Sequence, residues 1–173
     1  MKLNKLAMIL IAAGALPCLS AHAKPVEATA TLNVTATTEI THQLTAVSGV
    51  NEGKMAVGTI FAKGIVSGTN APLKKVSLSW VRVINPKVDG KGADFAKIVK
   101  VGGEASDVAI VQLKPVTGVS RTETPGGTDQ NVYTLSDAVT PNFEYNVVSA
   151  EGATNVLKSG SYKMTILADV VNA

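Results

Sequence analysis

Residues 26–37 alternate without interruption between apolar and polar side chains. Val26, Ala28, Ala30, Leu32, Val34 and Ala36 occupy the even positions; Glu27, Thr29, Thr31, Asn33, Thr35 and Thr37 occupy the odd ones. Successive side chains of an extended strand point to opposite faces, so a period of two gives one apolar face and one polar face. At about 3.3 Å per residue, residues 26–36 would span roughly 36 Å, long beside the usual strand of about five or six residues. Pro25 cannot donate to a ladder, so pairing is expected to begin after it. The apolar face sets small residues around the larger pair Leu32 and Val34, as a strand entering a graded groove would. An ordinary first strand alternates in the same way. The length, the small apolar residues and the N-terminal position favour a strand able to leave its own domain.

The same period continues along the chain. Thr, Val and Ile are abundant, and Gly and Pro interrupt at short intervals. Strands are expected near residues 39–47, 55–66, 74–84, 94–101, 107–114, 131–135, 143–149 and 161–171. No stretch carries an amphipathic helical pattern. This spacing, without alternating helices, predicts an all-β sandwich or barrel in a single domain. Asp89-Gly90 reads as a tight turn and residues 118–131 as a mobile surface loop. The expected core is Ile60, Val76, Leu78, Trp80, Val83, Ile110, Leu113, Tyr145, Val147, Tyr162, Met164 and Ile166.

The first 23 residues read as a secretory leader. Lys2 and Lys5 precede an apolar run over residues 6–16, and Ala21-His22-Ala23 is a small-x-small cleavage site. The run is short for a membrane span, which needs about 20 apolar residues. Removing 23 of the 173 residues would leave 150, with 14 of the 16 Lys+Arg and all 13 Asp+Glu. Net charge then falls from +3 to +1, and the single Cys leaves with the leader. An exported, cysteine-free domain follows, without an internal disulfide.

Little in this chain points to catalysis. Beyond the leader His42 is the sole histidine, with Glu39 nearby, so no zinc cluster is expected. No nucleophile elbow, P-loop or dinucleotide fingerprint is present. Lys74, Lys75, Lys87, Lys91, Lys97 and Lys100 form a loose basic region, either a solvated face or a contact for anionic glycans. A net charge of +1 gives no support for nucleic acid. The expectation is a non-enzyme with no cofactor and no metal. Asn33-Val34-Thr35 matches a glycosylation pattern and is read as chance.

The C-terminal end supplies a complement to the extension. After Gly160-Ser161, the residues Tyr162, Met164, Ile166, Ala168 and Val170 share one face, while Lys163, Thr165 and Asp169 share the other. With the sequence stopping at Ala173, no final strand is expected to follow, which would leave an apolar groove and an unpaired edge. This layout resembles the pilin subunits of bacterial chaperone–usher organelles, in particular the disulfide-free, atypical-fimbria and capsule-like branch. The leader, the Thr/Ala/Val extension over residues 26–37 and the terminal Gly-x-Tyr strand over residues 160–172 carry the resemblance.

The resemblance implies an incomplete immunoglobulin-like β-sandwich, residues 38–173, preceded by a donor-strand extension, residues 24–37. It implies a periplasmic chaperone that lends a strand, an outer-membrane usher, and head-to-tail polymers in which one subunit's extension completes the next. The donor residues would be Val26, Ala28, Ala30, Leu32, Val34 and Ala36. Tyr162, Met164, Ile166, Ala168 and Val170 would line the acceptor groove. The product would be an adhesive surface fibre, with a host glycan or protein as receptor. Two rivals remain at this point: a monomeric exported binding module with an ordinary first strand, and a small secreted hydrolase using His42.

Overall fold

The structure is a computed structural model that describes residues 39–69, 71–126, 128–136, 140–150 and 156–170. The leader and the extension, with all six expected donor residues, lie outside these.

The described residues form strands β1 (Ile40–Ala46), β2 (Gly53–Lys54), β3 (Ile60–Gly68), β4 (Lys75–Trp80), β5 (Phe95–Val99), β6 (Val108–Pro115), β7 (Val119–Glu123), β8 (Gln130–Leu135), β9 (Asn142–Ser149), β10 (Val156–Leu157) and β11 (Ile166–Val170). One sheet has the order β1-β3-β9-β6-β5 and the other β11-β4-β8-β7, with β10-β2 as a small third ladder. All ladders are antiparallel.

Alternation decides which face each strand buries. On β9, Phe143, Tyr145 and Val147 point into the core while Glu144 is exposed. On β4, Val76, Leu78 and Trp80 do the same, with Ser77 and Ser79 on the opposite face. These residues and Ala109, Val111 and Leu113 of β6 meet in one apolar cluster between the sheets. The rings of Tyr133 on β8 and Phe143 on β9 bridge the sheets with centroids 5.2 Å apart. Burial of side chains this size contributes about 1.5–3 kcal/mol each before the entropy of ordering is set against it.

Several expectations need correction. Residues 118–131 are not one loop: β7 and the start of β8 lie within them. Val83 is not core but 92% exposed. The N–H groups of Ile84 and Asn85 both donate to Val81 O, at 2.9 and 2.8 Å, which ends the strand at Trp80 and turns Val83 outward. The expected strand over residues 55–66 starts only at Ile60, because Gly58 adopts a φ of 82° in a turn closed by Thr59 N–H to Ala56 O. Ile60 and Ile110 are only half-buried. The Asp89-Gly90 turn forms as expected, with Lys91 N–H donating to Val88 O at 3.2 Å.

Candidate functional site

β1 ends one sheet and β11 ends the other. β1 pairs with β3 alone and β11 with β4 alone. The two strands pass close to each other, yet no ladder joins them. Among the described residues, neither outer edge has a strand partner.

The inner faces of these edges are half-covered. Ile40, His42 and Leu44 on β1, and Ala168 and Val170 on β11, are intermediate in burial, as are Tyr162 and Met164 just before β11; Ile166 is buried. Ile40, Leu44, Tyr162, Met164, Ala168 and Val170 all pack against the core cluster. In the sheet centres the equivalent residues Val66, Val76, Leu78, Phe143 and Val147 are fully enclosed, at 0% exposure. The core is thus closed in the middle and open along the line between β1 and β11. At one end of that line lies a cavity of about 520 Å³, lined by Val47, Val50, Phe61, Leu157, Tyr162 and Met164 among others. It touches Ala46 at the end of β1 and Met164 ahead of β11, so it sits where β1 finishes and β11 begins.

All five expected groove residues therefore lie on the inner side of the C-terminal segment, with Leu167 and Asp169 exposed on the other. Regular pairing begins at Ile166, not at residue 161. Asn85 explains the delay. Fully buried, its Nδ2 donates to Lys163 O at 2.8 Å and to Lys97 O at 3.4 Å, and its Oδ1 accepts Thr165 N–H at 2.8 Å. One side chain thus pairs the backbone that would otherwise continue the strand, and it fixes where Tyr162 and Met164 enter the cavity wall. Tyr162 Oη is held by the backbone of Lys158, accepting its N–H at 3.0 Å and donating to its carbonyl at 3.2 Å. The Lys158 ammonium pairs with Asp107, whose carboxyl it holds below its ordinary range, helped by a hydrogen bond from Glu104 N–H.

His42 is joined to Tyr145 by a hydrogen bond of 2.7 Å between Nε2 and Oη. Tyr145 reaches it across Gly64, where any Cβ would collide with the tyrosine ring. The ring stacks beside Phe143, with centroids 6.0 Å apart. Burial lowers the His42 pKa and raises that of Tyr145. The partner of this histidine is the Tyr145 phenol, which burial holds in its neutral form. Among the described residues no group of His, Cys, Asp and Glu could hold a metal ion. Of the basic region, Lys75 lies on β4 and Lys97 on β5, in different sheets, and the other four lie outside these two strands; Lys87 pairs with Asp129 and Lys91 lies over the Phe95 ring.

The sequence did not single out Asn85, Gly64 or Asp107. Asn85 precedes Pro86 and reads as a turn residue; that it is enclosed depends on the C-terminal segment, 78 residues away, folding over it.

No protein-family profile matches the sequence, and no curated protein matches it. Solved structures do. The Salmonella SafD adhesin is 14% identical with a TM-score of 0.60, covering 77% of this chain and 84% of that one. A structure from the aggregative adherence fimbriae of enteroaggregative Escherichia coli, described for fibronectin binding and biofilm formation, is 12% identical with a TM-score of 0.59, covering 78% and 87%. The minor tip subunit HdaB of the E. coli Hda pilus is 10% identical with a TM-score of 0.57, covering 76% and 82%. At such identities the likeness is one of fold. This chain has the immunoglobulin-like, all-β fold of fimbrial subunits.

Proposed function

We propose that this chain is a structural subunit of an adhesive surface fibre, and that the opening between β1 and β11 receives residues 26–36 of another copy. The observation that carries this reading is the pair of facing edges, each without a strand partner among the described residues, over a core half-covered along that line. A strand laid there would hydrogen-bond to both edges and place alternate side chains on the exposed core. Val26, Ala28, Ala30, Leu32, Val34 and Ala36 have the required period, and a slip of one residue would present threonines instead. The joint would be heterologous, so it propagates as an open filament.

Before assembly the opening needs a temporary cover, which is the role of a periplasmic chaperone, with an outer-membrane usher as the place of exchange. Host attachment, through a glycan or a protein, would be a property of the polymer. The fold likeness to fimbrial subunits supports this reading.

The test is deletion of residues 24–37 in cells that make the full assembly machinery. The expected result is loss of SDS-resistant multimers with the shortened subunit still recovered in a complex. Multimers that persist in the deletion variant would overturn the proposal.

A further inference from the structure

We infer that His42 makes the strand-filled joint sensitive to protons: a neutral imidazole suits a strand seated between β1 and β11, and a charged one opposes it. This rests on the strand-accepting role proposed above.

The geometry comes first. His42 is on the inner face of an edge strand, between Ile40 and Leu44, at the border of the opening. One ring nitrogen is committed to Tyr145. Inward residues of the neighbouring elements are Ala62, Gly64 and Val66 on β3, Phe143 and Tyr145 on β9, and Ile166, Ala168 and Val170 on β11. Among these Tyr145 is the one titratable group, and burial holds it protonated and neutral. Glu39, Lys63, Glu144 and Asp169 are exposed. None of the inward residues is an acid that could balance an imidazolium.

A strand in the opening would exclude the water that still reaches the ring. All six donor side chains on the apolar face are hydrocarbon, so they offer no acceptor for a second N–H. Burying a charge without a partner is strongly unfavourable. The imidazole therefore stays neutral in the joint, and burial already lowers its pKa in the subunit.

The sign of the pH effect follows. In the released state burial already holds His42 below the ordinary histidine value of 6.5, and in the joint it takes up a proton only at still lower pH. The joint's stability is therefore full above that value and declines as pH falls below it. Each pH unit by which the joint depresses the pKa corresponds to about a tenfold loss in its equilibrium constant at low pH.

The experiment uses purified wild-type and His42→Gln fibres. The half-life of the SDS-resistant multimer ladder is measured at fixed temperature between about pH 7.5 and pH 5, a window in which histidine titrates and ordinary carboxylates largely do not. Glutamine can keep the hydrogen bond to Tyr145 and carries no charge at any of these values. The expected result is a wild-type half-life that shortens severalfold or more across the window, beginning near or below pH 6.5, with a flat profile for His42→Gln. Equal pH dependence in the two proteins would overturn the inference. So would a wild-type half-life that stays constant, a readout that stands even if the variant does not assemble. Wild-type chains that form no multimers at any pH would overturn the fibre-subunit reading itself, and this inference with it.

Discussion

β5 and β11 both end a sheet, but only β5 is closed. Lys97 N–H on β5 donates to Pro86 O at 2.9 Å, and just beyond the strand Val101 N–H donates to Ser161 O at 2.8 Å. Lys100 also bridges to Tyr162. The loop before β5 and the segment before β11 thus occupy the backbone groups another strand would need. β7, which ends the same sheet as β11, is protected differently. It is five residues long, its middle residues Ser120, Arg121 and Thr122 are exposed, and Arg121 pairs with Glu123 at 2.8 Å. Short, charged edges resist pairing with stray strands. β1 has neither device among the described residues; β11 is as short as β7 and carries the exposed Asp169, but no described loop or segment covers its backbone edge as the one beside β5 is covered. β1 and β11 also lie side by side, with half-buried apolar residues between them. Two edges covered or flanked by charge, and two adjacent edges over a half-covered core, is the arrangement that the proposed strand insertion requires.

The comparison can be broken most severely by placing a charge on the line between β1 and β11. Leu32→Asp in the extension, or Ala168→Asp on β11, would put an unpaired carboxylate where the strand meets the core, at a cost of several kcal/mol. Loss of polymer in both is expected, checked by SDS-resistant multimers; Leu32→Asp should leave the melting temperature of the isolated subunit unchanged. Asn85→Ala comes next. It strips Lys163 O and Thr165 N–H of their partner, and each buried polar group left alone costs about 1–3 kcal/mol, to be read from denaturant unfolding. Gly64→Ala forces the Tyr145 ring away from its place and breaks its bond to His42. Overpacking of this kind costs about 1–3 kcal/mol, seen as a lower unfolding midpoint. The smallest effect belongs to the charged edge. Arg121→Ala on β7 removes an exposed ion pair and should change stability by less than about 0.5 kcal/mol, with polymer yield unaltered.

Much of the sandwich is legible in the sequence because its strands bury one face only. β4, β6 and β9 announce themselves through alternation, and so does the inner face from Tyr162 to Val170. β7 does not, because Ser120, Arg121 and Thr122 are exposed on both faces and carry no period. Val83 misleads because it extends the alternation of β4 past the point where backbone hydrogen bonds to Val81 O have already turned the chain. At the candidate site, the apolar residues along the opening can be read from period two. The polar parts cannot. Asn85 and the His42–Tyr145 pair depend on contacts 78 and 103 residues apart in sequence, which no local pattern encodes.

The most direct measurement is amide hydrogen exchange, residue by residue, on assembled fibres of the wild-type chain. If residues 26–36 of one copy lie between β1 and β11 of another, the outward amides of Ile40–Ala46 and Ile166–Val170 will be strongly protected, while those of Val119–Glu123 on β7 exchange quickly. Fibres in which the amides of β1 and β11 exchange as fast as those of β7 would contradict the account.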